Sequence, residues 1–387
     1  MKIMITCCLG LFLLVGSMAT AQPAVLSSSP LCPGPPIKVA VDWTEFGFAP
    51  CRTGFNPFEF ILSPITVANL RMHWRYTTGY FFESSPAVVN GVVYVGSYDS
   101  NVYAVNASTG ARMWQYRTGN VVLSSPAVAN GVVYVGSWDN SVYALNARTG
   151  VLLWKYTTAS AIFASPAVAN GVVYVTSNDK NVYALNASTG ALLWKYATGD
   201  VVSSSPAVAN GVVYVGSYDN NVYALNAGTG TLLWRYKTAA AVYSSPAVLD
   251  RLVYIGSSDH NLYALNASTG AVVWQYTTGD VVGSSPAVAN GMVYVGSSDH
   301  NVYAFNASTG EPLWHYATGD AVFSPPAVAN GVVYVGSNDF KVYALNANSG
   351  ALLWQYRTGD GVSASLVVAN GVVYVSSNDT YLYAFGL

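Results

Sequence analysis

Apolar residues in this chain fall in short runs separated, at regular intervals, by turn residues. Residues 200–240 show the pattern. Ser204-Ser205-Pro206-Ala207-Val208 predicts a short strand, and Asn210-Gly211 after it predicts a tight hairpin, because a type I′ turn needs positive φ at both central positions. Val212-Val213-Tyr214-Val215 is β-branched and aromatic, as a second strand should be. Ser217-Tyr218-Asp219-Asn220 turns the chain, Val222-Tyr223-Ala224-Leu225 makes a third strand, and Asn226-Ala227-Gly228-Thr229-Gly230 turns it again. Leu232-Leu233-Trp234-Arg235-Tyr236 is the fourth.

The unit recurs every 40 residues. Trp74, Trp114, Trp154, Trp194, Trp234, Trp274, Trp314 and Trp354 keep that step. Four antiparallel strands at this period predict the blade of a β-propeller, and the fold class is all-β. The ends are complementary. The last unit stops at Tyr383-Ala384-Phe385-Gly386-Leu387 without a fourth strand, whereas Leu70–Tyr76 reads as a fourth strand with nothing before it. If the Trp74 strand completes the last blade, eight blades close into a ring and no sheet edge is left open at the seam.

Composition narrows the function classes. Charged residues make up 9% of the chain, the formal charge is −2, and no basic run occurs, so a nucleic-acid partner is not expected. Residues 1–21 read as a signal peptide: Lys2, a mostly apolar stretch over 3–16, then Ala19-Thr20-Ala21. Beyond them no apolar run approaches the roughly 18 residues of a membrane span. Residues 22–68 form an N-terminal arm, and 69–387 the propeller. The chain is therefore expected outside the cytoplasm, secreted or periplasmic, without a lipid anchor and as a monomer. Cys32 and Cys51, both in the arm, are expected to form a disulfide in that compartment.

Ala184-Leu185-Asn186-Ala187-Ser188-Thr189-Gly190-Ala191-Leu192-Leu193-Trp194 resembles the tryptophan-docking motif of the pyrroloquinoline quinone (PQQ) repeat. The resemblance extends over about residues 52–387, and Arg52-Thr53-Gly54-Phe55-Asn56-Pro57 with Leu62-Ser63-Pro64 resembles the lead-in of many such proteins. It implies an eight-bladed propeller with each tryptophan docked between blades. It also brings PQQ-dependent alcohol dehydrogenases into view, which add Ca²⁺, a catalytic Asp and often a vicinal Cys pair.

The acidic residues here do not cluster in that way. Eight are turn aspartates (Asp99, Asp139, Asp179, Asp219, Asp259, Asp299, Asp339 and Asp379), and four more follow Thr-Gly (Asp200, Asp280, Asp320 and Asp360). Each turn aspartate is expected to tie down its own turn. No catalytic residue, metal site or resident cofactor is expected, with PQQ and Ca²⁺ as the alternative. The favoured resemblance is to the non-enzymatic, BamB-like branch, a binding scaffold for a protein or glycan partner; an adhesion or carbohydrate-binding propeller is a further alternative.

Contrast between blades locates the binding face. The turn after the second strand and the lead-in to the first lie at the same end of a blade. There the repeats differ: Tyr98, Trp138, Asn178 and Tyr218 stand just before the Asp position, Lys180, His260, His300 and Phe340 just after it, and Glu83, Phe163, Tyr243 and Phe323 in the lead-ins. Exposed aromatics are typical anchors of recognition surfaces, so all of these but Asn178, eleven residues, are the binding-face candidates.

Overall fold

The computed structural model describes residues 42–387, whose regular structure is almost entirely β. Blade 1 comprises Ala87–Val89, Val92–Gly96, Asn101–Asn106 and Arg112–Arg117. Blades 2 to 7 follow at 127–157, 167–197, 207–237, 247–277, 287–317 and 327–357. Within each blade the strands pair antiparallel in sequence order, from a short inner strand to an exposed outer one. Blade 8 is composite. Arg71–Thr77 pairs antiparallel with Tyr381–Gly386, with Trp74 opposite Ala384. The ring closes by its two chain ends, as expected.

Blades dock through one repeated joint. Trp194 Nε1 donates to Ala227 O of the next blade at 2.9 Å, and Tyr174 Oη donates to the same carbonyl at 3.1 Å. The indole covers Gly230, where a Cβ would lie 2.6 Å from Trp194 Cδ2, and φ there is +73°. Glycine is required on both counts. Equivalent bonds run from Trp74, Trp114, Trp154, Trp234, Trp274 and Trp314. Trp354 instead packs edge-on against Phe385. Each such hydrogen bond contributes about 1 kcal/mol, and the ring burial beneath it more.

The arm threads the axial hole. Eight inner strands would present eight rows of unpaired backbone groups to the axis. Residues 43–56 satisfy one position per blade, in order. Trp43 exchanges two 2.8 Å bonds with Val88, Thr44 O accepts from Val128 N, and Glu45 Oε2 from Val168 N. Pro50 O, Cys51 O, Thr53 O and Gly54 O then accept from Val208, Val248, Val288 and Val328. Asn56 Nδ2 donates to Val368 O at 2.8 Å, completing the circuit. Gly54 must be glycine, because its Cβ would lie 2.8 Å from Ala287 Cβ and 2.9 Å from Pro326 O.

Arg52 is buried and locks this plug. It donates to Phe46 O, Ser165 O, Pro166 O and Pro206 O, and its guanidinium lies 5.0 Å from the Phe46 ring centroid. Cys51 is buried and disulfide-bonded; Cys32, its expected partner, lies outside the described residues, as does the signal segment 1–21.

The blade turns divide into two faces. One, the hairpin face, carries the Asn-Gly turns, with Asn210 at φ 51° and Gly211 at φ 74°. By sequence it is nearly uniform, but the structure alters that picture. Leaving the axis, the arm lies under blades 7 and 8, with Asn330 Nδ2 donating to Leu62 O and Ile61 against Gly371. Buried Glu59 clamps this segment through Ile61 N, Leu62 N and Gly371 N, leaving Phe60 75% and Ile65 87% exposed.

Candidate binding site

The opposite face, the loop face, carries the Asp turns and the crossovers between blades. The turn aspartates do more than tie their own turns. Asp219 Oδ1 accepts Asn221 N at 3.0 Å, while Oδ2 accepts Tyr223 Oη at 2.5 Å and Gly199 N at 2.7 Å. Gly199 belongs to the crossover from blade 3, so one carboxylate fixes a turn, a strand and a crossover together. The same set recurs at Asp139, Asp179, Asp259, Asp299, Asp339 and Asp379. At Asp219 burial alone would raise the carboxyl pKa, but the bonds from Tyr223, Asn221 and Gly199 outweigh it and hold it below the ordinary value.

A second repeated network surrounds the axis. Ser85 N donates to Ser125 Oγ in the next blade at 2.9 Å. Ser125, Ser165, Ser205 and Ser245 pass the same bond onward to Ser165, Ser205, Ser245 and Ser285. Blade 7 has Pro325 at this position, with neither an N–H to give nor a hydroxyl to accept. Ser365 N then donates to Ser85 Oγ. An inner relay shows a compensated exchange. Ser244 and Ser284 hydroxyls donate to the carbonyls of Ser284 and Ser324. Blade 3 has Ala164 instead, and Thr176, in place of the usual glycine, donates to Ser204 O at 2.8 Å.

Above the serine ring opens a funnel of about 520 Å³. Phe46 of the arm lies at its floor beside Ser85, Ser125, Ser165, Ser205, Pro325 and Ser365. Of the eleven candidates, the funnel lining contains Glu83, Phe163, Tyr218, Tyr243 and Phe323. Tyr98 and Trp138 border it through ring contacts: Trp138 lies 4.5 Å from Phe163, and Tyr98 6.5 Å from Trp138. Tyr218 stacks on Tyr243 at 6.0 Å.

The structure does not bring Lys180, His260, His300 and Phe340 into the lining. All four occupy the left-handed turn position, with φ between 70° and 72°. Lys180 pairs with Asp200 at 3.0 Å, His260 with Asp280 at 3.7 Å and His300 with Asp320 at 3.8 Å, each across its own blade. Phe340 lies under the Arg357 guanidinium. These four are rim residues with local neighbours of their own. The candidate set also leaves out Asn178, which blade contrast shows, and Phe46, Tyr80 and Phe81. Phe46 lies outside the repeat, so no comparison of blades could reveal it. The blade 1 lead-in, Tyr80-Phe81-Phe82-Glu83 against Asp200-Val201-Val202-Ser203, did carry a signal.

Glu83 is the one charged side chain in the lining. Burial raises its pKa, opposed by a 3.5 Å hydrogen bond from Tyr98 Oη. Among the described residues, no group of three or more His, Cys, Asp or Glu side chains is placed to hold a metal ion, and no helix is long and apolar enough to cross a membrane.

Fold and joints together define an eight-bladed β-propeller with tryptophan-docked blades. Repeat and fold are those of the PQQ-repeat propellers, and two family models each match part of the chain. A family model described as the beta-propeller of beta-alanine-activating enzyme matches residues 59–249, and one described as outer membrane protein assembly factor BamB matches 238–323 and 317–386. No curated protein matches the sequence. Among solved structures, a europium-containing methanol dehydrogenase superposes with a TM-score of 0.79 at 16% identity, covering 89% of this chain and 98% of that one. BamB from Moraxella catarrhalis gives 0.72 at 22%, covering 82% and 100%. Quinohemoprotein alcohol dehydrogenase from Comamonas testosteroni gives 0.76 at 17%, covering 89% and 80%. At these identities the likeness is one of fold.

Proposed function

We propose that this chain is a non-catalytic binding scaffold, secreted or periplasmic, that engages its protein or glycan partner on the loop face around the axial funnel. One observation carries the reading. The funnel is floored by a non-repeated residue, Phe46, and walled by lead-in residues that differ from blade to blade, while the joints beneath it repeat. Uniform joints with a varied aromatic mouth are what a recognition surface on a constant frame requires. The extracytoplasmic location rests on the sequence of residues 1–21.

The funnel fits the family's quinone poorly. PQQ is a tricarboxylate, and the lining offers one carboxylate, Glu83, and no cationic side chain. The turn aspartates have their oxygens committed to Tyr hydroxyls and backbone amides, which leaves them ill-suited to supply the converging ligands that Ca²⁺ takes.

Titration of the purified protein with PQQ and Ca²⁺, followed by tryptophan fluorescence and dye-linked alcohol oxidation, tests this directly. We expect neither saturable binding nor turnover. Saturable binding accompanied by alcohol oxidation would replace the scaffold with a quinoprotein dehydrogenase.

A further inference from the structure

The seam between blades 8 and 1 carries chemistry found at no other crossover. Elsewhere the crossover reads Thr198-Gly199-Asp200-Val201-Val202-Ser203 or a close variant; here it reads Thr78-Gly79-Tyr80-Phe81-Phe82-Glu83. The aspartate becomes an exposed tyrosine, the following valine an exposed phenylalanine, and the funnel-lining position a glutamate. Their rings continue into the next two blades. Tyr80 lies 5.8 Å from Phe81, Phe81 4.8 Å from Tyr98, Tyr98 6.5 Å from Trp138, and Trp138 4.5 Å from Phe163. Glu83 stands beside this arc at Tyr98, whose Oη donates to its carboxylate at 3.5 Å.

We propose that the arc formed by Tyr98, Trp138 and Phe163 with Glu83 receives a small organic cation, an N-methylated ammonium group of the choline type. This rests on the loop-face reading above and specifies its ligand. Aromatic faces attract a cation through the ring quadrupole, more strongly when the site is partly desolvated, and a carboxylate at the edge completes the complement. Glu83 faces solvent with no cationic partner among the described residues, so a bound ammonium would pair with its carboxylate. The surrounding field points the same way. The loop face carries the turn aspartates and Asp200, Asp280, Asp320 and Asp360, while Lys155, Lys180 and Lys341 are paired with Asp139, Asp200 and Asp339. An acidic rim around a concave mouth concentrates cations. A neutral sugar could stack on the rings and donate hydroxyls to Glu83, but only a cation neutralises its charge.

Isothermal titration with choline, tetramethylammonium and the uncharged isostere 3,3-dimethylbutan-1-ol tests the proposal. Choline and tetramethylammonium should bind saturably, and the isostere about tenfold or more weaker. Glu83→Gln should weaken choline by about tenfold, as should Trp138→Ala, while Phe323→Ala on the far wall should not. Glu83 is exposed, so E83Q should keep the wild-type circular dichroism and melting temperature. Equal binding of the isostere, no binding of either cation, or choline binding that survives both E83Q and W138A would each overturn the proposal. An oligosaccharide bound through Tyr243 and Phe323 would also overturn it while leaving the loop-face scaffold standing. Saturable PQQ binding with turnover would remove both.

Discussion

Ser365 donates its backbone N–H to Ser85 Oγ at 2.8 Å, across a sequence separation of 280 residues. This bond joins the last inner strand to the first and belongs to a chain of serines interrupted only at Pro325. The hydroxyls are buried acceptors, so truncating one strands the amide of its neighbour. Ser165→Ala leaves Ser125 N unpaired and should cost about 1–2 kcal/mol, read as a lower denaturation midpoint. Ser365 Oγ accepts no amide from blade 7 and instead donates to Pro325 O at 3.2 Å, so Ser365→Ala strands no amide and should cost less. Equal losses would show that the ring is not the source of the stability.

The tryptophan joint gives a graded prediction. Trp194→Phe keeps most of the apolar ring but loses the bond to Ala227 O, and should cost about 1 kcal/mol. Trp194→Ala also empties the space over Gly230 and should cost about 3–5 kcal/mol. Gly230→Ala should be destabilising as well, because its methyl group would meet the indole in a left-handed backbone conformation.

The plug has a pH signature. Glu45 is fully buried and its pKa is pushed up to about 7 by burial, which the Arg52 charge opposes in part. The folded protein therefore holds a proton that the unfolded chain releases near the ordinary value of 4.5. Below that value the contribution of Glu45 to stability is complete, and it is lost as pH rises through about 7. Glu45→Gln, which stays neutral, should flatten the fall in stability between pH 5 and 7. The wild type and E45Q showing the same slope would contradict this assignment.

At the acid end the turn aspartates act with the opposite sign. Burial works against their ionisation, but their hydrogen bonds hold Asp139, Asp219, Asp299 and Asp339 below the ordinary carboxyl range. Their stabilisation is present above about pH 4 and is lost as pH falls through the depressed values. Asp219→Asn should lower the melting temperature at neutral pH and lower it less in acid below the depressed value, since it replaces an ionised acceptor by a neutral amide that does not titrate.

Most of the fold was legible because it is repeated. Asn210-Gly211, the aspartate at position 219 and Trp234 each recur at the 40-residue step, and each reports a local rule of turn or packing chemistry. Ring closure was legible because Leu70–Tyr76 matches a strand that the last unit lacks. The arm was not. Its circuit from Trp43 to Asn56 is made largely of backbone carbonyls, and a carbonyl leaves no mark on the residue type. The site was half legible. Contrast between blades found Glu83, Phe163, Tyr218, Tyr243 and Phe323, but could not tell lining from rim. Lys180, His260 and His300 differ as much between blades, yet lie at the edge beside their crossover aspartates. That distinction depends on radial position, which a period in sequence does not encode.

Both the funnel and the two faces require the ring to close through its ends. Thr77 faces Tyr381 across the composite blade. Opposed residues in an antiparallel pair lie about 4.5–5.5 Å apart at Cα, within disulfide reach. In a Thr77→Cys, Tyr381→Cys variant, mild oxidation should give an intramolecular crosslink in the monomer, seen as faster migration without reductant and as a peptide joining the two ends. Thr77→Cys paired with Asn101→Cys, the equivalent position one blade on, should stay reduced. Crosslinking of 77 to 101 but not to 381, or only between molecules, would contradict the closed ring and every surface assigned on it.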